Sequence, residues 1–128
     1  MRLGARGWSL AVCLVLMSAG ALASNLSASL KNYYAQFEIV VACEEQAQLS
    51  EAEADAAEAA MDKIERYYLK KDASIDKNHL LDQAEADRDE GFRIVARGRN
   101  ADLRPFCRQS LRELLMKAEE IAPVASGH

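Results

Sequence analysis

Proline and glycine are scarce over most of this chain: beyond residue 23 the only prolines are Pro105 and Pro123, and the only glycines are Gly91, Gly98 and Gly127. No stretch there alternates apolar and polar residues with period two over strand length, which excludes the usual signature of a sheet. Cysteines never occur as C-x-x-C or C-x-x-C-H, so neither a redox-active dithiol nor covalent haem attachment is written into the chain. A Gly-x-Ser-x-Gly elbow is also missing, and His79 has no nucleophile at a helical neighbour position. Lysine and arginine are absent from Glu38 to Asp62.

The N-terminus is the one strongly apolar region. Arg2 and Arg6 precede an apolar run from Leu10 to Met17, and small residues follow, ending in Ala21-Leu22-Ala23. This order predicts a secretory signal peptide over residues 1–23, cut after Ala23. The run is short for a bilayer span, which sets this reading above an uncleaved anchor. Cys13 follows bulky Val12 where lipoprotein processing needs a small residue, so it leaves with the peptide. The remainder has no further apolar run of spanning length, and the expected location is the periplasm or the cell exterior.

Removal of residues 1–23 leaves Cys43 and Cys107, an even number in a chain bound for an oxidising compartment. An intramolecular disulfide follows, and it is of particular value in a domain this small. Four amphipathic helices are predicted around it. The first spans about Leu26 to Gln48, with Leu30, Tyr34, Phe37 and Val41 on one stripe and Tyr33, Val40 and Cys43 beside it. Ser50-Glu51-Ala52-Glu53 reads as a capping box opening the second, which continues through Ala56, Ala60, Ile64, Tyr67 and Tyr68 to Lys71. The third runs from near Asp76 to Arg97 on Leu80, Leu81, Ala84, Phe92, Ile94 and Val95. The fourth is capped by Asn100 or Asp102, tolerates Pro105 in its first turn, and carries Leu103, Phe106, Cys107, Leu111, Leu114, Leu115, Ala118 and Ile121. The predicted fold is all-α, a small up-down-up-down four-helix bundle with one disulfide. It occupies residues 24–122, and residues 123–128 form a loose tail. Such a bundle brings the end of the first helix and the start of the fourth to one pole, where Cys43 and Cys107 meet at similar height.

Charge is unevenly distributed within a net of −4. Acids cluster at Glu38, Glu44, Glu45, Glu51, Glu53, Asp55, Glu58 and Asp62; bases cluster at Arg93, Arg97, Arg99, Arg104, Arg108, Arg112 and Lys117. Arg88, Arg93, Arg97, Arg104 and Arg108 form the candidate binding surface. The competing reading is that the two clusters neutralise one another at the disulfide pole. Nucleic acid is not an expected partner, because the chain is acidic and its aromatics sit at core spacing away from the arginines.

The third helix is polar in its middle, Glu85 to Gly91, where continuing the stripe from Leu81 and Ala84 lands on Arg88. Arg88 either turns inward to a carboxylate, or the helix kinks at Gly91, or a partner covers this face; the plainest reading makes it the most exposed helix. The block fails as an EF-hand loop because its glycine is misplaced. Asp76, His79 and Asp82 share a face but fall short of a metal site, and Tyr33, Tyr34, Tyr67 and Tyr68 are read as core before pocket. No catalytic residue, metal or cofactor is therefore expected. The functional expectation is a non-enzymatic exported protein acting on another exported protein, in an accessory, chaperone-like or inhibitor/immunity role. The alternative is a bundle that binds a small anionic or apolar molecule.

Overall fold

A computed structural model describes residues 25–98 and 102–126, with side chains through Ile121. The candidate signal peptide, Asn100 and Arg99 lie outside the described residues. Four helices follow in order: α1 over residues 25–45, α2 over Glu51–Lys71, α3 over Lys77–Ala96 and α4 over Leu103–Ser126. No strand occurs among the described residues.

The helix starts are set by side chains that accept otherwise orphaned backbone N–H groups. Glu53 N–H donates to Ser50 Oγ at 3.1 Å while Ser50 N–H donates to Glu53 Oε1 at 3.0 Å, so the capping box closes reciprocally. Asp76 Oδ1 accepts from His79 N–H at the start of α3, and Asp102 Oδ1 accepts from Arg104 N–H just before α4. Helix α1 ends earlier than its apolar pattern suggests. Ala47 takes φ 58°, and Gln48 N–H returns to Cys43 O at 2.8 Å, closing the helix with a left-handed residue before Ser50 begins the next one. At the other end of the chain, helical backbone continues to Ser126, beyond the Ala122 boundary expected from the sequence.

Directions alternate along the chain. Glu53 and Arg108, each in the early turns of its helix, meet across α2 and α4, and Lys117 of α4 lies among Tyr67 and Tyr68 near the end of α2. Helices α2 and α4 are therefore parallel. Their direct packing is extensive, although in a square bundle they would stand at opposite corners. Small residues permit this: Ala60 and Ala118 lie at the junction. Helix α1 runs antiparallel to both, joined to α4 by the Cys43–Cys107 disulfide with a Cα–Cα distance of 6.0 Å. Helix α3 lies along α1 in the same direction: Lys77 at its start meets Glu65, which also holds Tyr34, while Gly91 near its end approaches Ile39 and Phe106, beside the bridge from Cys107 to Cys43 late in α1.

This arrangement makes α1 the central helix. Leu30 and Tyr34 are buried on one side of it, and Ala35 and Ile39 are buried roughly opposite, a pattern expected of a helix covered on two faces. The single stripe predicted for α1 captures only part of this. On α2 the buried set is Ala57, Ala60, Met61, Ile64 and Tyr68, while Ala56 is exposed. Helix α3 buries only Leu80 and Ala84 fully, with Ile94 60% exposed, so it is the most exposed of the three helices α2 to α4. Its upper half is held by close approach at Gly91. A Cβ there would come within 3.0 Å of Phe106 Cζ and 3.8 Å of Ile39 Cδ1, and the neighbouring Phe92 ring stands edge-on to Phe106 at 5.2 Å.

Two stability measurements test this account. Replacing both Cys43 and Cys107 by Ala should lower the unfolding free energy by about 4 kcal/mol, read by denaturant titration, given the 64-residue separation. Ala47→Gly should raise it by up to about 1 kcal/mol, because the left-handed backbone penalises a Cβ; a destabilised variant would contradict the closure described for α1.

Candidate functional site

The five arginines singled out by the sequence do not converge on one patch. Arg88 turns inward, as one of the three sequence alternatives required: its Nη1 lies 3.1 Å from Glu38 Oε2 of α1, with both side chains 27% exposed. It also contacts Asp89. Burial works against its charge, but Asp89 and Glu38 outweigh that effect and raise its pKa. Arg93 pairs with Glu90 one turn back at 3.0 Å, and Arg104 with Asp102 at 3.1 Å. Arg108 donates from Nη1 to Glu53 Oε2. Arg97 caps the end of α3 through its backbone and is exposed. Only the Arg108–Glu53 contact joins the predicted basic cluster to the predicted acidic one among the described residues, so mutual neutralisation is local.

The tyrosines follow the core reading: Tyr34 and Tyr68 are buried in the core, and Tyr33 and Tyr67 pack against it half-buried. Tyr34 is buried and donates its hydroxyl to Glu65 Oε2 at 2.8 Å, and burial together with that carboxylate raises its pKa. Tyr33, Tyr67 and Tyr68 surround a cation supplied by the chain itself. Lys117 Nζ stands 6.0, 5.8 and 5.9 Å from their ring centroids, with its side chain only 16% exposed. The ring faces are electron-rich and attract the ammonium, and Glu120 lies 3.6 Å away. Burial opposes the charge on Lys117, yet Tyr68, Tyr33 and Glu120 together raise its pKa. Lys117, four turns along α4, thus lies among three of the core tyrosines, and a second open concavity of about 630 Å³ lies beside it, lined by Tyr33, Lys117 and the acids Glu113, Glu119 and Glu120.

His79 is exposed, and the Asp76 carboxylate beside it is engaged by the backbone N–H of His79 in capping α3. Among the described residues no group of His, Cys, Asp or Glu is placed to hold a metal ion, and no helix is long and apolar enough to cross a membrane. Both disulfide sulfurs belong to fully buried residues.

The larger of two concave features, which sequence reasoning missed, lies between α2 and α4. It is an open groove of about 790 Å³. Ala56 and Ala59 of α2 and Leu111 of α4 form its apolar lining together with Leu115 and Met116, which are 39% and 60% exposed. Lys63, Arg108 and Arg112 stand at its edges, with Glu119 the one acid in the lining. The signal was present in the sequence as exposed alanines on α2, but it became readable only once α2 and α4 were known to be adjacent. Comparison with protein-family models, curated proteins and solved structures gives no match.

Two outcomes are expected at these contacts. Lys117→Met should cost about 1 kcal/mol in thermal or denaturant unfolding through loss of the cation between the rings; an unchanged stability would show the lysine to be a passive neighbour. Glu53 has its pKa lowered, chiefly by the Ser50 backbone N–H and also by Arg108. Its contribution is therefore complete above the ordinary glutamate range and is lost as pH falls through the depressed folded value. Glu53→Gln should lower stability near neutral pH, where the carboxylate contributes in full, and converge with the wild type in acid, so that the acid limb of the stability–pH curve flattens.

Proposed function

We propose that this is an exported helical protein with no enzymatic activity of its own, which works by contacting another exported protein in an accessory, chaperone-like or inhibitor/immunity role. The α2/α4 groove supports the reading most. Two large apolar side chains, Leu115 and Met116, stand open to solvent beside an alanine surface, and the helices beneath them are already packed and need no such exposure. Apolar side chains clustered in a concave surface with polar edges are what a docking face requires.

A small-molecule site receives less support. Four of the five candidate arginines already face carboxylates, and Lys117 occupies the space among the tyrosines. Export rests on the Arg2–Ala23 pattern and agrees with a disulfide that joins the two cysteines outside that segment.

The test is affinity purification of the tagged chain from its native envelope or culture fluid, beside the variant Leu115→Glu/Met116→Glu. One stoichiometric protein should accompany the wild type and be absent from the variant, whose circular dichroism stays helical. A clean monomer from the wild type would remove the interaction reading. Intact mass of the natural protein should correspond to a chain beginning at Ser24.

A further inference from the structure

The charge of the α2/α4 groove identifies the kind of surface that fits it. Lys63 on α2 and Arg112 on α4 are both exposed, and neither forms an ion pair among the described residues. Between them lies the alanine surface of α2, with Leu115 beside it. Small side chains let another backbone come close, and the groove runs along α2 from Ala56 to Lys63 and along α4 from Arg108 to Glu119, about 10 to 16 Å, room for two to three turns of a docked helix.

We propose that this groove receives an amphipathic helix of another exported protein, one whose apolar stripe is flanked by Glu or Asp. The proposal rests on the interaction reading above and names its partner's chemistry. The apolar stripe would pack on Leu115 and the alanines, and the flanking carboxylates would face Lys63 and Arg112. A second copy of this chain is disfavoured as the occupant. A two-fold contact through this face brings two such cation-bearing surfaces together, each with one groove-lining acid to offset Lys63, Arg108 and Arg112. A membrane surface also offers negative charge, but the face is concave, carries no aromatic side chain in its lining, and includes Glu119.

The experiment uses the disulfide-bonded exported protein and two labelled 20-residue helical peptides with the same Leu/Ala stripe, one flanked by Glu and the other by Lys. Fluorescence anisotropy at low salt should show the Glu peptide binding at least about tenfold more tightly, with the difference shrinking toward ~0.5 M salt. Lys63→Glu/Arg112→Glu, both exposed positions whose fold is checked by circular dichroism, should reverse the order. Leu115→Glu should weaken both peptides. Equal affinity, a preference for the Lys peptide, an order unmoved by the charge reversal, or no binding of either peptide up to about 100 µM overturns the proposal. So does binding to phosphatidylglycerol vesicles that depends on Lys63 and Arg112 and excludes the Glu peptide, or a dimer in sedimentation that the charge reversal abolishes. A natural partner retained by the Lys63→Glu/Arg112→Glu variant overturns the acidic helix while leaving the interaction reading standing; loss of any natural partner from the wild type removes both.

Discussion

Cys43 and Cys107 are both fully buried, and the bond between them joins the late part of α1 to the early part of α4. Everything at that pole takes its height from this link. Arg108 follows Cys107 directly and so meets the opening turn of α2, where Glu53 is already held by the capping box. Phe106 precedes Cys107 and is directed to the other side, against Gly91 and Phe92 of α3. One covalent constraint thus seats α4 on α2 and gives α3 its upper contact. A cross-link closing a long loop also removes much of the freedom of the unfolded chain, which matters in a domain with a modest core.

Around that bond the helices are arranged by side-chain size. Alanines at the α2/α4 junction let two parallel helices approach directly, and α1 then lies against both with its second face open. Helix α3 covers that face with little apolar surface of its own. It relies on Leu80, Ala84, the glycine contact and half-buried ion pairs, of which Arg88–Glu38 is the most enclosed. Such pairs contribute modestly to stability, but an Arg turned inward without its carboxylate would be costly, so Glu38 sets where Arg88 can lie. The polar middle of α3 is therefore compatible with packing and does not require a partner to cover it.

The same economy shapes the surface. Most of the candidate arginines are engaged by nearby acids, and the tyrosine cluster is satisfied by Lys117. Two open concavities remain, an acidic one beside Lys117 and the α2/α4 groove, where apolar side chains occur together with cations that form no ion pair among the described residues. The interaction reading and the acidic-helix proposal both arise from that groove.

Local chemistry is legible in the sequence. Ser50 and Glu53 mark the start of α2 and Asp76 that of α3 because capping is decided by residues three apart. The helical class and the alternating directions follow from periodicity and short connections, and the Cys43–Cys107 bridge from the two cysteines that lie beyond residue 23. Which side of each helix is covered was less legible. A one-dimensional pattern cannot distinguish Ala56 from Ala57, or show that α1 is buried on two faces, since that depends on which neighbour lies there. The inward turn of Arg88 was one alternative among three until Glu38, fifty residues earlier, was found beside it. The lysine among the tyrosines and the groove between α2 and α4 were decided by tertiary structure alone. Both are assembled from residues far apart in the chain, and only the close parallel packing of two small-residue faces brings them together.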